Sequence, residues 1–299
     1  MHPVLDVLIH VRRLARIVDH IFRGESRELG SHQVFGGQVL GQALSAAQHT
    51  VEGRVAQSLH AYFLRRGDNN APIVYEVDRA RDGGSFSNRR VVAIQHGRPI
   101  LNLAASFQNP EDGLEHHDVM PDVPPPDGLK DLTHLAADVL DTIPVKLRRF
   151  MTDQRPFEFR PVEQTSLDAR EKLPPVKHVW IRAVDALPSD TALHQNLLAY
   201  VSDFELLMTA TLPHGISFTR GNLILASLDH ALWFHREFRM DEWLLYAMDS
   251  PTASGARGFA RGQFFTQDGT MVASTTQEGL VRVVDPAKAR KRSDPSKQQ

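Results

Sequence analysis

The chain has 299 residues, a formal net charge of −2 and no cysteine. That length accommodates two domains of ordinary size, while the near-neutral balance gives no general affinity for nucleic acid, and the lack of thiols excludes a cysteine nucleophile, disulfides and Cys-ligated metal. No apolar run approaches the roughly 20 residues of a membrane helix and the N-terminus lacks the pattern of a secretory signal, so the expectation is a cytoplasmic protein with no membrane partner.

In chain order, Val4 to Arg23 places Val7, Val11, Leu14, Ile17, Val18 and Ile21 at helix-like spacing. A second stretch, Gln33 to Ala47, carries an apolar stripe at Val39, Leu40, Ala43, Leu44 and Ala47 behind the glycines Gly36, Gly37 and Gly41. Each glycine costs about 1 kcal/mol against alanine inside a helix. Close approach of a sheet or ligand to the helix N-terminus, or tight packing alone, would compensate, and both readings stay open. Strand-like segments follow near 57–64, 72–79, 85–96 and 98–108. From Glu111 to Asp127 the pattern stops in a polar, proline-rich stretch with His116-His117, read as a solvated linker rather than a metal site. Leu129 to Phe150 has room for a helix or two.

The second half opens with strands near Phe157–Val162 and His178–Val184. Pro188-Ser189-Asp190 then caps a helix expected over Thr191 to Ala210, with Asp203 and Glu205 at the flanks of its apolar stripe. A carboxylate beside a buried face is a solvated edge residue or a base tuned by its surroundings, and periodicity does not choose. The stretch Ser227 to Gly279 reads as an antiparallel meander broken by Asp241, Ser250-Pro251 and Asp268-Gly269. It also has an earlier half-copy. His60-Ala61-Tyr62 aligns with His230-Ala231, Tyr75 with Tyr246, Arg89 with Arg261, and Gly97 with Gly269, all in the same order. The expected organisation is therefore two repeats, 1–110 and 151–285, joined by a linker region 111–150 and followed by a disordered tail 286–299.

Each repeat reads as one apolar helix followed by about four strands, and such a helix must bury its stripe against a sheet that curls around it. That is an α+β hotdog, and two in tandem make a double hotdog. Gln33-Val34-Phe35-Gly36-Gly37-Gln38, Phe63-Leu64-Arg65, Ser85-Phe86-Ser87, Asp229-His230 with Trp233-Phe234-His235-Arg236, Glu242-Trp243-Leu244-Leu245-Tyr246, and Ala256-Arg257-Gly258-Phe259 with Gln277-Glu278-Gly279 closely resemble the acyl-CoA thioesterase II family. The resemblance runs from about residue 20 to 284 and implies hydrolysis of acyl-CoA to free acid and CoA. It also implies a catalytic set of Asp203, Ser227 and Gln277, with Ser227 where the family often has Thr, no cofactor or metal, and a homodimer or higher homo-oligomer.

Such a set would hold one water, with Asp203 as general base and its pKa raised by apolar neighbours. Gln277 is expected on the strand face shared by Met271, Ala273 and Thr275. Gly36 and Gly37 are candidate substrate contacts. Arg65, Arg66, Arg89, Arg90, Arg257 and Arg261 are candidates for the anionic CoA. His230 is read as a hydrogen-bonded core histidine. Gly83-Gly84-Ser85-Phe86-Ser87 is one residue short of a serine-hydrolase elbow, and neither GxGxxG nor a Walker loop is present. The alternatives are a non-catalytic acyl-CoA-binding module and an enoyl-thioester hydratase or dehydratase.

Overall fold

Period-two alternation decides the architecture. In β3 (Val55–Phe63), β4 (Ile73–Asp82), β5 (Phe86–Gln95) and β6 (Arg98–Gln108), buried residues such as Leu59, Tyr75, Val91 and Leu103 share one face. That face wraps α1 (Gly36–Gln48), which is buried almost throughout. The second half repeats the plan with β8 (Val176–Ala183), β10 (Asp229–Phe234), β11 (Leu244–Ser254), β12 (Arg257–Thr266) and β13 (Met271–Val283) around α3 (Thr191–Val201). The structure, a computed structural model, describes residues 14–26, 33–138, 156–163, 171–216 and 223–283.

With β1 (Ala15–Val18), β2 (Ile21–Gly24) and β7 (Phe157–Pro161), the strands form one antiparallel sheet in the order β1-β2-β4-β5-β6-β3-β10-β13-β12-β11-β8-β7, and β9 (Leu223–Ser227) pairs with β13. The two half-sheets join where β3 meets β10, and α1 packs against α3 behind the seam. This is the double hotdog expected. Among the described residues no helix is long and apolar enough to cross a membrane.

The repeat is real but one residue out of register at two points. Asp78 faces Arg90 and Asp249 faces Arg261, each pair ending at a bulge, so the counterpart of Arg261 is Arg90 and not Arg89. Likewise His60 is exposed whereas His230 is buried, and Leu59 occupies the inward position that matches His230. A one-residue slip exchanges the two faces of a strand, and so the aligned histidines and arginines do different work.

Further expectations are corrected. Residues 14–26 form the hairpin β1–β2 rather than a helix, and the rest of the first stretch lies outside the described residues. The helix expected to reach Ala210 stops at Val201 and resumes only as α4 (Leu206–Thr209), because Glu205 adopts a left-handed φ of 65°. Ser250-Pro251 lies within β11 at its bulge, where proline's missing N–H is tolerated, and the turn into β12 is Gly255-Ala256. From Leu129 to Phe150, residues Leu132–Asp138 form α2, and 139–150 lie outside the described residues, as does the tail from 286.

The segment between the halves is not freely solvated. Met120, Val123 and Leu129 pack on an outer-face cluster of Trp180, Trp243, Leu245, Phe265 and Met271. Trp180 Nε1 donates to the Pro124 carbonyl at 2.9 Å and Arg160 Nη1 to that of Pro126 at 2.8 Å. Prolines have no N–H to satisfy, so their carbonyls dock as a strap across the second half-sheet. His116 and His117 themselves are exposed.

Candidate active site at the seam between the halves

The break after α3 delivers Asp203 to the seam. Ser202 caps the helix, its N–H donating to the Leu198 carbonyl, and Tyr246 Oη donates to the Ser202 carbonyl at 2.8 Å. Asp203 then meets β13, where Gln277 Nε2 donates to its Oδ1 at 2.7 Å. Ser227, the last residue of β9, places Oγ 3.5 Å from the same oxygen, a long and weak contact. The Gly37 N–H of α1 also donates to the carboxylate. Three sequence-predicted residues thus converge from three elements of the second half, and the glycine-rich helix end of the first half closes the group.

That closeness explains the glycines. A Cβ on Gly36 would lie 2.6 Å from Asp203 Oδ2 and 2.9 Å from Phe63 Cε1, and one on Gly37 would lie 2.1 Å from the Tyr200 carbonyl oxygen. The helix end approaches both backbone and carboxylate more closely than any side chain allows.

Burial raises the Asp203 pKa to about 6, and the hydrogen bonds from Gln277, Gly37 and Ser227 offset only part of the desolvation. Gln277 is fully buried, and its Oε1 has no hydrogen-bond partner among the described residues. Behind it stands His230, which burial holds down at a pKa of about 3. Along β13, Ala273, Thr275 and Gln277 share the inner face as expected. Met271 does not, because the bulge near Phe265 turns it into the outer-face cluster.

The arginines divide. Arg89 is 2% exposed and spends its guanidinium on Thr50, the carbonyls of Arg81 and Asn88, and the Asp82 carboxylate. Its expected contact with an anionic ligand is therefore corrected to a structural role. Arg257 pairs with Glu278 at 2.9 Å and Arg261 with Asp249, both on the outer face, opposite to the one that carries Ala260 and Gln277. Arg65 is exposed two residues beyond Phe63, with Nη1 on the Pro99 carbonyl at 2.8 Å. Ser202 and Tyr246 also shape the site, and their sequence signals are slight: Ser202 adjoins Asp203, and Tyr246 stands at a repeated Tyr position.

Residues 26–108 match the profile of the acyl-CoA thioesterase N-terminal domain, and residues 147–280 that of acyl-CoA thioesterase. The chain is 44% identical over 283 residues to acyl-CoA thioesterase 2 of Haemophilus influenzae, which covers 94% of this chain and 99% of the relative. It is 39% identical to human acyl-coenzyme A thioesterase 8, over 91% of this chain and 88% of that one. Among solved structures, acyl-CoA thioesterase II TesB2 of Mycobacterium marinum superposes with a TM-score of 0.76 at 40% identity, covering 94% of this chain and 98% of that one. A hotdog-fold protein from Alicyclobacillus acidocaldarius, at 18% identity and a TM-score of 0.74, shows the fold alone. Matched over 94% of its length at 44% identity, the chain belongs to the acyl-CoA thioesterase family.

Proposed function

We propose that the protein hydrolyses acyl-CoA thioesters, with water activated at Asp203. The observation that carries this is a fully buried carboxylate with a pKa near 6, tied to Gln277 and Ser227 at a seam lined by the N-terminus of α1. A water there donates one hydrogen to Asp203 and the other to Gln277 Oε1, which has no partner among the described residues, and the Ser227 hydroxyl gives up its long contact with Asp203 to donate to the water oxygen. Its fourth tetrahedral direction points a lone pair at the thioester carbon. As the C–O bond forms, the proton passes to Asp203 and negative charge gathers on the carbonyl oxygen, which the positive end of α1 is placed to stabilise. Collapse breaks the C–S bond, and Asp203 returns the proton to the departing thiolate.

Arg65, on the exposed chain beyond Phe63, is the candidate we retain for the CoA phosphates. An Asp–His pair for hydration of an enoyl thioester is disfavoured, because both ring nitrogens of His230 are occupied by protein groups. The test is thiol release from acyl-CoAs of graded chain length. Release that depends on Asp203 is the expected result; binding of acyl-CoA without thiol release would leave the binding-module reading in its place.

A further inference from the structure

Proton counting around His230 fixes more than a packing role. Its Nε2 lies 2.8 Å from Ser202 Oγ and 3.2 Å from Thr275 Oγ1. Each of those hydroxyls already gives its single proton to a carbonyl, Ser202 to Ala199 at 3.0 Å and Thr275 to Ala231 at 2.7 Å. In that arrangement both meet the imidazole with lone pairs only, which assigns the hydrogen to Nε2. The ring is 1% exposed and burial keeps it neutral, so Nδ1 is left as an acceptor.

Gln277 Nε2 lies 3.2 Å from that Nδ1 and 2.7 Å from Asp203 Oδ1. Its two amide hydrogens are matched to two acceptors. Rotating the amide by half a turn would set its oxygen against an imidazole lone pair and a carboxylate oxygen at once, so the partners allow one orientation. In that orientation Oε1, buried and without a partner among the described residues, is the atom presented to the reaction.

We propose that His230, backed by Ser202 and Thr275, is a positioning residue that locks the Gln277 amide with Nε2 toward Asp203 and Oε1 toward the attacking water. The inference rests on the hydrolase reading above. Ser202 ends α3, His230 lies on β10, and Thr275 precedes Gln277 by two on the same face of β13, so three elements converge on the orientation of one amide. A buried polar network with every member directed specifies a single geometry, which a reacting water requires.

Two measurements test it. The first is nitrogen-15 NMR of the imidazole, where a neutral Nε2–H tautomer is expected from about pH 5 to 8. An Nδ1–H tautomer or an imidazolium in that range overturns the proposal, whether or not the protein turns over substrate. The second is kinetic. His230→Leu removes the Nδ1 acceptor and should lower kcat by about 10- to 100-fold with KM within about twofold, whereas His230→Asn, whose Oδ1 can replace Nδ1, should lose less than about fivefold. In a Gln277→Ala background His230→Leu should lower kcat no further, because it acts only through that amide. An additive loss there, or wild-type kcat in folded His230→Leu, refutes it. If His230→Leu does not fold by circular dichroism, the pair Ser202→Ala with Thr275→Val frees the tautomer instead and should lower kcat several-fold; an unchanged kcat counts against the proposal. Wild-type protein that releases no thiol from any acyl-CoA sinks the hydrolase reading, a result distinct from every one of these.

Discussion

Asp203 is held where its charge is disfavoured, and in the proposed mechanism this sets stability against activity at one residue. Its pKa is raised from 3.8 to about 6. Between those values the unfolded chain has lost the proton and the folded chain keeps it, so stability falls as pH rises from about 4 to about 6 and stays lower above. Asp203→Asn removes the charge and keeps one acceptor oxygen in place of two. It should gain about 1–3 kcal/mol at pH 8, gain nothing below pH 4, and lose about 100-fold or more in kcat. Urea unfolding at the two pH values, beside thiol release, checks all three; equal stability at pH 8 would mean that the carboxylate is solvated. The same group should give kcat/KM an acid limb near pH 6. His230, neutral above about pH 3, should add no limb, and loss of the limb in wild-type pH profiles would remove Asp203 as the base.

At the scale of elements, the first turn of α1 and the break after α3 build the proposed site together. Gly36 and Gly37 are neighbours with different obligations. A methyl group on Gly37 meets the Tyr200 carbonyl, which is backbone, so Gly37→Ala should destabilise by about 2–4 kcal/mol. On Gly36 the obstacles are the Asp203 and Phe63 side chains, which can turn aside, and alanine's better helix propensity offsets part of the strain. Gly36→Ala should therefore fold with a loss of less than about 1.5 kcal/mol yet drop kcat by tenfold or more, since the carboxylate is the group displaced. Denaturant midpoints and kcat for the two variants separate these outcomes, and parallel losses in both would mean that Gly36 is a packing residue only.

Which elements were legible follows from the same physics. The strands β4, β5 and β6 alternate cleanly and are bounded by turn formers, so their extents were readable to within a few residues. Asp203, Ser227 and Gln277 came from resemblance, and spacing alone placed none of them together. The end of α3 was hidden because Phe204, Leu207 and Met208 continue the apolar stripe, while the left-handed φ at Glu205 leaves no mark on that periodicity. The hairpin β1–β2 was misread because it is only four residues a strand, too short for a period of two to outweigh one of 3.6. Arg89 and His60 were misassigned by single-residue slips that no spacing argument detects.

At the scale of the molecule, the duplicated halves are unequal. Gln277 faces Ala260 across β12–β13, and at the matching place in the first half Ala105 faces Arg89. The first half thus lacks the amide and fills the space with a buried guanidinium, so one seam carries one site. The proposed site draws on both halves: Asp203, Ser227 and Gln277 from the second, and the Gly37 N–H from the first. The halves are held by the β3–β10 ladder, by α1 against α3, and by Gln195 Nε2 on the Ala56 carbonyl at 2.7 Å. The strap at Met120 and Val123 belongs by its contacts to the second half, so a cut that respects the packing separates residues 1–110 from 111–299. Each piece alone exposes a helix face and an unpaired strand edge, and should be inactive and prone to aggregate. Co-expressed, they should re-form the seam and recover thiol release that falls on dilution, since the covalent link no longer holds their effective concentration. If the piece 111–299 alone hydrolyses acyl-CoA at a rate near that of the whole chain, the Gly37 N–H and the end of α1 contribute nothing to the reaction, and the seam is only where the site happens to lie.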